Sequence, residues 1–445
     1  MATSYISRTQ SANGSGKLTI SVWLKHCEAA EQLVVTSYYS GNYWGDLRFL
    51  SDGAIKFQDY RNSYIFQLQT TAKFRDPASW YHVVVNFDNT LASPTGKIYV
   101  NGVLQDLATT NQYSQNETSS FLTDYTLNIG TYNSGSNWNG SMADLYYIQG
   151  QVYEASTFGS TDSTTGQWKP NASPTIDYSS TGNNSFHMKF ENASNLDLDS
   201  GGNNLTFSTT GTPTQTSDCP SNNFATWNTL NGLFSNSIQS NGVQNGNTFV
   251  ASTASNEDRS FGSTLAFTGT GKYYMEFKVG NLGGGVSIGI GEVDAMQVLL
   301  NQTRSKFCNN AKGYAYLNSG NKEVGGSGAS YGNSFTNYSY IQLAYNNGTL
   351  WFGKDGTWQN SATISEISAG TTTNAAFTGI DTSKQYFIMF NGFNDAMLEM
   401  NAGNGYFRTT VIGSPNNPTS GDTSAKFKYT VPTGYQPLST KGLNV

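Results

Sequence analysis

The chain has 445 residues, a formal net charge of −6, and only 12% charged residues against 13% aromatic ones. This length suits two domains of roughly 200 residues each. The acidic balance argues against nucleic-acid binding, because phosphate contacts need clustered Lys and Arg. No apolar run reaches the ~20 residues of a membrane-spanning helix, so membrane insertion is not expected either.

The composition also predicts the fold class. The chain is rich in aromatic residues, contains 47 glycines, and has Asn-, Ser- and Thr-rich segments between its apolar runs. This composition is typical of an all-β protein with many polar turns. Cys27, Cys219 and Cys308 are odd in number and far apart, so we expect free thiols rather than a disulfide framework. The start, "MATSYISRTQ", lacks the apolar core of a signal peptide, so secretion by the ordinary route is not expected.

The first half of the chain is a succession of predicted strands. In "KLTISVWLK", residues 17–25, apolar residues occupy every second position, so Leu18 and Ile20 share one face. In "WYHVVVNFD", residues 80–88, the same alternation directs Val83 and Val85 to a core. No segment keeps a helical apolar period for more than a turn or two. An antiparallel sandwich is the predicted architecture.

Residues 97–105, "KIYVNGVLQ", predict a hairpin. Its Asn-Gly pair favours the positive φ angles of a two-residue turn. That turn places Val100 opposite Val103 and Lys97 opposite Asp106.

The turn "SYYSGNYWGD", residues 37–46, supplies the candidate ligand-binding residues. Aromatic rings stack on the apolar faces of sugars, and carboxylates bind hydroxyls. Because strand side chains alternate, about half of these aromatic residues are expected to pack inside or on a sheet face. The candidates are Tyr38, Tyr39, Tyr43, Trp44 and Asp46.

Residues 176–222 are rich in Ser, Thr, Gly and Pro around one strand-like segment, "FHMKFEN", and are predicted to form a connector with a short hairpin. Within them, "NLDLDSGGNN" offers Asp197, Asp199 and Asn203 as calcium ligands. The loop departs from the EF-hand pattern, because its glycine comes one residue late and no Glu closes it. A polar turn without metal is therefore the favoured interpretation, and calcium binding is the alternative.

From residue 223 the strand pattern resumes with "KYYMEFKV", "VSIGIGEV" and "YFIMFNGF". The predicted fold is therefore all-β, with two antiparallel, jelly-roll-like β-sandwiches in series and very little helix. Their predicted ranges are 1–175 and 223–445.

These motifs resemble two families. "SVWLK", "FRDPASWYHVVVNFD", "KIYVNGVLQ" and "WNGSMADLYYIQGQ" resemble the laminin-G-like, concanavalin A-type sandwiches common in bacteriophage structural proteins. "DLDSGGNNLTFS" and "DCPSNNFATWNTL" resemble the connector that follows this domain in marine phage proteins. "GKYYMEFKV", "IQLAYNNGTLWFGKDGTWQ" and "LEMNAGNGYF" resemble a SPRY domain, itself a two-sheet sandwich.

The resemblance implies a virion protein assembled in the host cytoplasm, a lectin-like fibre or adhesin component that binds a host-surface glycan or protein. Its implied partners are other virion proteins and that receptor, and it would act as a homo-oligomer or multi-copy array. A capsid or tail decoration protein without a receptor role is the alternative.

A glycan hydrolase is a third and more distant interpretation. Glucanases with this type of fold carry Glu-x-Asp-x-Glu on one strand. The nearest match here is Glu292-Val293-Asp294-Ala295-Met296, which lacks the third carboxylate. We therefore expect no catalytic residues and no enzyme activity.

Overall fold

The computed structural model describes residues 4–12, 14, 16–27, 30–132, 137–179, 182–229, 243–252, 258–297 and 306–444. The chain divides into two compact units, unit 1 (Met1–Gln215) and unit 2 (Thr216–Val445). Each is built mainly from two antiparallel sheets, and the part of the chain that the structure describes is mostly β with little helix. The predicted fold class is confirmed.

Unit 1 contains sixteen strands and one short helix within the described residues. In chain order they are β1 Tyr5–Thr9, β2 Lys17–His26, β3 Gln32–Ser40, β4 Tyr43–Phe49, β5 Ile55–Arg61, β6 Tyr64–Thr70, β7 Tyr81–Asp88, β8 Thr95–Val100, β9 Val103–Leu104, β10 Leu107–Asn111, β11 Thr126–Ile129, β12 Gly140–Gln149, α1 Ala155–Phe158, β13 Gly159–Thr161, β14 Trp168–Pro170, β15 Phe186–Met188 and β16 Ser208–Thr210.

Two large sheets enclose the core of unit 1. One has eight strands in the order β10-β6-β5-β4-β3-β11-β1-β16, and the other has six in the order β15-β12-β2-β7-β8-β9. The predicted alternation holds, because Leu18, Ile20, Val83 and Val85 are all fully buried between the sheets. Burying such side chains stabilises the sandwich by roughly 1.5–3 kcal/mol each.

The predicted hairpin forms between β8 and β9, and Val100 pairs with Val103 as its register requires. Asn101 has a φ of 49°, the left-handed conformation expected of this turn. The predicted pairing of Lys97 with Asp106 is wrong. The ladder ends at Leu104, and the Lys97 ammonium lies 2.8 Å from the carboxylate of Glu154.

The predicted connector divides between the units. Up to Gln215 it belongs to unit 1, where Phe186 of β15 pairs with Tyr147 of β12 and Thr209 of β16 pairs with Ile6 of β1. These pairings make β15 and β16 edge strands of the two large sheets.

Unit 2 contains fifteen strands and three short helices within the described residues. In chain order they are β17 Val243–Gln244, β18 Phe249–Ala251, β19 Asp258–Thr268, β20 Lys272–Asn281, β21 Gly285–Gly291, α2 Val293–Gln297, β22 Gly313–Leu317, β23 Asn321–Val324, β24 Ser327–Ser330, β25 Tyr340–Asn346, β26 Thr349–Lys354, β27 Thr357–Trp358, α3 Ile364–Ala369, β28 Gln385–Phe393, β29 Met397–Asn401, β30 Tyr406–Phe407, β31 Thr410–Val411 and α4 Thr440–Leu443.

The sheets of unit 2 have the orders β17-β18-β29-β20-β25-β26-β27 and β19-β28-β21-β22-β23-β24. Trp351 and Trp358 are buried in a core cluster of this unit. The buried Glu276 carboxylate accepts the backbone N–H groups of Lys428 and Tyr429, both at 2.7 Å, which anchors the C-terminal segment to β20.

The three cysteines are free thiols, as predicted, and Cys27 and Cys308 are buried. Among the described residues, no helix combines the length and hydropathy needed to cross a membrane.

Candidate functional site

The outer face of the eight-stranded sheet in unit 1 carries the candidate site. Along β4, Leu47 and Phe49 point into the core. Since neighbouring side chains on a strand point to opposite faces, Trp44, Asp46 and Arg48 point outward. The neighbouring strands pair so that outward side chains meet across the sheet, with register shifts beside Tyr38 and between β5 and β6 at Tyr60.

Four outward aromatic residues form what we call the aromatic row. Tyr38, Trp44, Tyr60 and Tyr64 are successive cross-strand partners on β3, β4, β5 and β6. The Trp44 and Tyr60 rings stack with centroids 5.3 Å apart, and Tyr64 meets both edge-on. Tyr132 packs its edge against Tyr38 and Trp44. At ~4.8 Å per strand, the row extends about 14 Å, and its Tyr64 end is 47% exposed.

Beside the aromatic row lies a polar ladder, formed by Asn128, Thr36, Asp46, Gln58 and Gln67 on five neighbouring strands. Its hydrogen bonds run in one direction, because Gln67 Nε2 donates to Gln58 Oε1 at 3.0 Å and Gln58 Nε2 donates to Asp46 at 3.4 Å. The buried Thr36 hydroxyl has no hydrogen-bond partner within the described part of the chain. The ladder therefore holds polar groups in fixed orientations next to a row of rings.

Arg48 fixes the carboxylate end of the ladder. Its Nε donates to Asp46 Oδ1 at 2.7 Å, Nη2 donates to the other Asp46 oxygen, and Nη1 donates to Glu31 at 2.6 Å. Its guanidinium also lies 5.5 Å from the Trp44 ring centroid. Burial raises the pKa of the Asp46 carboxyl, and the contact with Arg48 opposes that rise. Burial acts to lower the pKa of Arg48, but the bonds to Asp46 outweigh it and raise that pKa.

A second group, which we call the rim cluster, lies where the same strands end. It consists of Tyr39, Tyr43, Arg61 and Tyr125. Tyr39 is 67% exposed and stacks on Tyr125 with centroids 5.1 Å apart. The Arg61 guanidinium lies over the rings of Tyr43 and Tyr125, at 5.4 and 6.0 Å.

The predicted ligand-binding residues thus separate into two groups. Tyr38, Trp44 and Asp46 belong to the outer face, and Asp46 is buried in its floor. Tyr39 and Tyr43 belong to the rim cluster. Sequence reasoning missed the partners of these residues, which are Tyr60, Tyr64, Gln58, Gln67, Tyr132, Arg48, Arg61 and Tyr125. The period-two alternation of "IKFQDYR" and "YIFQLQT" was the signal that could have identified three of them, Gln58, Tyr60 and Gln67. Tyr64 alternates in phase with the core residue Phe66 and joins the outer face only through the register shift between β5 and β6.

The outer face of the six-stranded sheet differs, because it is covered. His82 on β7 lies between the rings of Trp23 and Trp168, and Phe158 packs beside it. The Trp168 indole N–H donates to His82 Nδ1 at 3.0 Å, and Ser21 Oγ lies 2.8 Å from Nε2. This packing makes the covered face a second small core of unit 1.

The predicted calcium ligands each form hydrogen bonds within unit 1. Asp199 is buried and accepts backbone N–H groups from His187, Gly201 and Leu205. Asp197 accepts the hydroxyl of Thr209, and Asn203 donates to the carbonyls of Tyr178 and Ser185. Across the described residues, no group of three or more His, Cys, Asp and Glu side chains is arranged to hold a metal ion. The calcium site remains a prediction from the sequence.

The near match to the glucanase motif lies at the junction of β21 and α2. Glu292 precedes α2, and Asp294 lies inside it, so the two are not alternate residues of one strand. Lys312 forms ion pairs with both, at 3.7 Å and 2.5 Å.

Comparison with known proteins agrees with the geometry of unit 1. Residues 1–150 match the Laminin_G_3 family, described as the concanavalin A-like lectin/glucanases superfamily. Residues 1–150 are therefore a concanavalin A-like lectin/laminin G domain, and this part of the predicted resemblance is confirmed. No curated protein matched the chain.

The solved structures that match the chain are remote in sequence. The SPRY domain of human HERC1 matches at 13% identity and a TM-score of 0.26, over 34% of this chain and 87% of its own. A heptameric SAP-like pentraxin from Limulus polyphemus matches at 16% identity and 0.27, over 34% and 72%. Domain 4 of AbnA, an arabinanase from Geobacillus stearothermophilus solved with arabinotriose, matches at 16% and 0.25, over 32% and 66%. Matches this remote assign no ligand and leave the SPRY resemblance of unit 2 a prediction.

Proposed function

We propose that this chain is a lectin-like binding protein whose unit 1 binds glycans through the outer face of its eight-stranded sheet. The observation that carries the proposal is the placement of the aromatic row beside the polar ladder. A pyranose ring has an apolar face that packs on aromatic side chains and an edge of hydroxyls that exchange hydrogen bonds with amides and carboxylates. The aromatic row supplies the apolar surface, and Gln67, the partly exposed end of an otherwise buried polar ladder, supplies the hydrogen-bonding groups.

The extent of the row sets the size of the ligand. About 14 Å corresponds to an oligosaccharide of about three residues lying across the strands. Because sheet pairing fixes the rows, little ordering entropy is lost on binding. Single sugar sites are nevertheless weak, so useful attachment requires many copies acting together.

The biological setting we propose is a bacteriophage virion, in which the protein is a fibre or adhesin component that contacts a host-surface glycan or protein. The resemblance of several motifs to phage structural proteins supports this setting. A decoration protein held to other virion proteins is the alternative. Immunogold electron microscopy of intact particles separates the two. Antibody against this protein would mark attachment structures if it is an adhesin, and the capsid or tail surface if it is a decoration protein.

We further propose that the binding is not followed by hydrolysis. Glycoside hydrolysis needs one carboxyl that gives a proton and a second that acts as nucleophile or base. On the outer face both oxygens of Asp46 accept N–H groups from Arg48, which also binds Glu31. A rise in reducing ends from laminarin or agar, lost in Glu292→Gln or Asp46→Asn, would contradict this proposal.

The binding proposal is tested by a glycan array with the full chain and two variants. Trp44→Ala removes the central ring of the aromatic row, and we expect about tenfold weaker binding, equivalent to roughly 1.4 kcal/mol. Tyr338→Ala is the matched control, since Tyr338 is a 70% exposed tyrosine of unit 2. Equal binding by wild type and Trp44→Ala would overturn the proposed site.

A further inference from the structure

The polar ladder of unit 1 reaches the surface at one end. Asp46, Gln58 and Gln67 are successive cross-strand partners on β4, β5 and β6. Asp46 and Gln58 are buried, whereas Gln67 is partly exposed. Gln58 lies two residues before Tyr60 along β5, so Gln67 on the next strand lies beside the Tyr60 and Tyr64 end of the aromatic row. A molecule bound on that row therefore meets the ladder through the Gln67 side chain.

Arg48 fixes the direction of the hydrogen bonds along the ladder. It donates N–H groups to both oxygens of Asp46, so this carboxylate is ionised and can only accept. The Gln58 amide must therefore turn its NH2 group toward Asp46, and Gln58 Nε2 lies 3.4 Å from both carboxylate oxygens. Gln58 Oε1 is left facing β6, where Gln67 Nε2 donates to it at 3.0 Å. Reversing either amide, or both, would set an oxygen against an oxygen.

The surface end of the ladder is consequently an acceptor. One N–H group of Gln67 is used by Gln58, while Gln67 Oε1 keeps both lone pairs, since none of the described residues donates to it. Only one N–H group of this amide remains for a ligand. Because the chain of hydrogen bonds leads back to the buried Asp46–Arg48 ion pair, the Gln67 amide cannot turn over without breaking it. Gln67 thus offers an outside molecule an oxygen in a fixed orientation.

We propose that Gln67 selects the glycan group that it contacts, and that this group is a hydrogen-bond donor, either a hydroxyl or an amino group. The inference rests on the proposed function and names the chemical class of the group that is recognised. An O-methyl ether, a carboxylate or a sulfate can only accept, so at this position each would face an oxygen with which it forms no hydrogen bond. Asp46 and Gln58 act as positioning residues, because they fix the Gln67 amide without contacting the glycan.

The first test needs no glycan and examines the direction of the ladder. Gln67→Glu replaces the donating amide with a carboxylate, which at pH 7 opposes the fixed oxygen of Gln58. Gln69→Glu is the matched control, because it adds the same charge at the next outward position of β6. We expect Gln67→Glu to lower the urea midpoint by about 0.5 M, read by hydrogen exchange of β5 and β6 peptides, and Gln69→Glu to leave it near the wild-type value.

The difference between the two variants should shrink between pH 7 and pH 4, since a protonated carboxyl at position 67 can donate to Gln58. A loss of packing alone would not depend on pH in this way. Equal midpoints of Gln67→Glu and Gln69→Glu at pH 7 would overturn the fixed direction of the ladder, and the inference with it.

The second test measures binding of laminaritriose, a neutral trisaccharide, by isothermal titration calorimetry. Gln67→Ala should bind about fivefold more weakly than wild type, which corresponds to one neutral hydrogen bond of about 1 kcal/mol. Gln67→Glu should stay within twofold of wild type, because a carboxylate still accepts. Gln69→Ala should also stay within twofold, because it leaves the ladder intact. An equal loss in Gln67→Ala and Gln67→Glu would mean that the contact uses the N–H group, which refutes the inference.

Laminaritriose derivatives with one hydroxyl replaced by fluorine locate the donor, since fluorine cannot donate. One derivative should bind wild type about fivefold more weakly than laminaritriose does, and should bind Gln67→Ala less than twofold more weakly. Preference of wild type for alginate or carrageenan trisaccharides over laminaritriose would contradict the inference. So would unchanged binding in Gln67→Ala with binding still lost in Trp44→Ala, an outcome that leaves the proposed function standing. If wild type binds none of these glycans, the proposed function itself fails, and this inference with it.

Discussion

The buried His82 gives the most quantitative prediction about unit 1. Trp168 can only donate through its indole nitrogen, so His82 Nδ1 must accept, and Nε2–H donates to Ser21. Protonating Nδ1 would set two N–H groups against each other inside a stack of rings. Burial accordingly lowers the pKa of His82 from 6.5 to about 3.

The sign of the pH effect follows from this shift. In the unfolded chain His82 binds a proton below pH 6.5, whereas in the folded chain it stays neutral until about pH 3. Between these values the unfolded state holds more protons, so the stability of unit 1 falls as the pH falls. The slope approaches about 1.4 kcal/mol per pH unit below pH 6.5, so the loss between pH 7.5 and 4.5 is about 2.7 kcal/mol.

The variant that tests this is His82→Gln, because the glutamine amide can accept and donate hydrogen bonds at the same position but does not titrate. The variant should be less stable than wild type at pH 7.5, by about 2 kcal/mol, because ring packing is lost. By pH 4.5 this difference should disappear or reverse, since only the wild type loses the His82 contribution. Other titrating groups, including His26 with its pKa lowered to about 4 by burial, are common to both proteins and cancel.

The assay is hydrogen exchange in increasing urea, followed by mass spectrometry of peptides from β2 and β7, which reports on unit 1 alone. Parallel losses in wild type and His82→Gln between pH 7.5 and 4.5 would refute the reasoning. They would mean that the imidazole accepts its proton in the folded state as readily as in the unfolded one.

Three further predictions concern the scaffold. Asp59→Ala should lower the free energy of unfolding by about 3 kcal/mol in urea titrations, because it orphans three buried donors, whereas exposed Asp52→Ala should cost less than about 0.5 kcal/mol. Gly102→Ala should lower the free energy of unfolding by about 2 kcal/mol or more, because φ is 81° and the added methyl group would collide with the indole ring of Trp168. Gly166→Ala, with φ 70° and open space around it, should lower it by only about 1 kcal/mol in the same measurement. Burial raises the pKa of Glu276 to about 7, so between pH 4.5 and 7 the folded state holds more protons than the unfolded state. Unit 2 should therefore lose stability as the pH rises through that window. Hydrogen exchange of β20 peptides should show this pH dependence in wild type and not in Glu276→Gln.

Local sequence patterns were sufficient where the structure depends on neighbours in the chain. The alternation in residues 17–25 and the Asn-Gly turn after Val100 predicted core faces and a register that the structure confirms. Lys97 was assigned the wrong partner because Glu154, its actual one, comes from a segment 57 residues further along. A pairing rule for one hairpin cannot anticipate a side chain that packs onto it from elsewhere.

The candidate site shows the same limit. The hairpin turn containing Trp44 was identified from its composition, but Tyr60 and Tyr64 join it only through two further strand registers. Tyr132 follows β11, far from Trp44 in the sequence, so no residue spacing near Trp44 predicts this contact. Alternation directs His82 away from the core that holds Val83, and its burial follows from the later segment that carries Trp168.

The central claim is that the aromatic row and polar ladder of unit 1 receive a glycan. A crystal structure of the full chain with the best-binding oligosaccharide tests it most directly. We predict sugar rings packed on Trp44, Tyr60 and Tyr64, with hydroxyls within hydrogen-bond distance of Gln67. An oligosaccharide bound to unit 2, or to the six-stranded sheet of unit 1, with this face empty, would contradict the account.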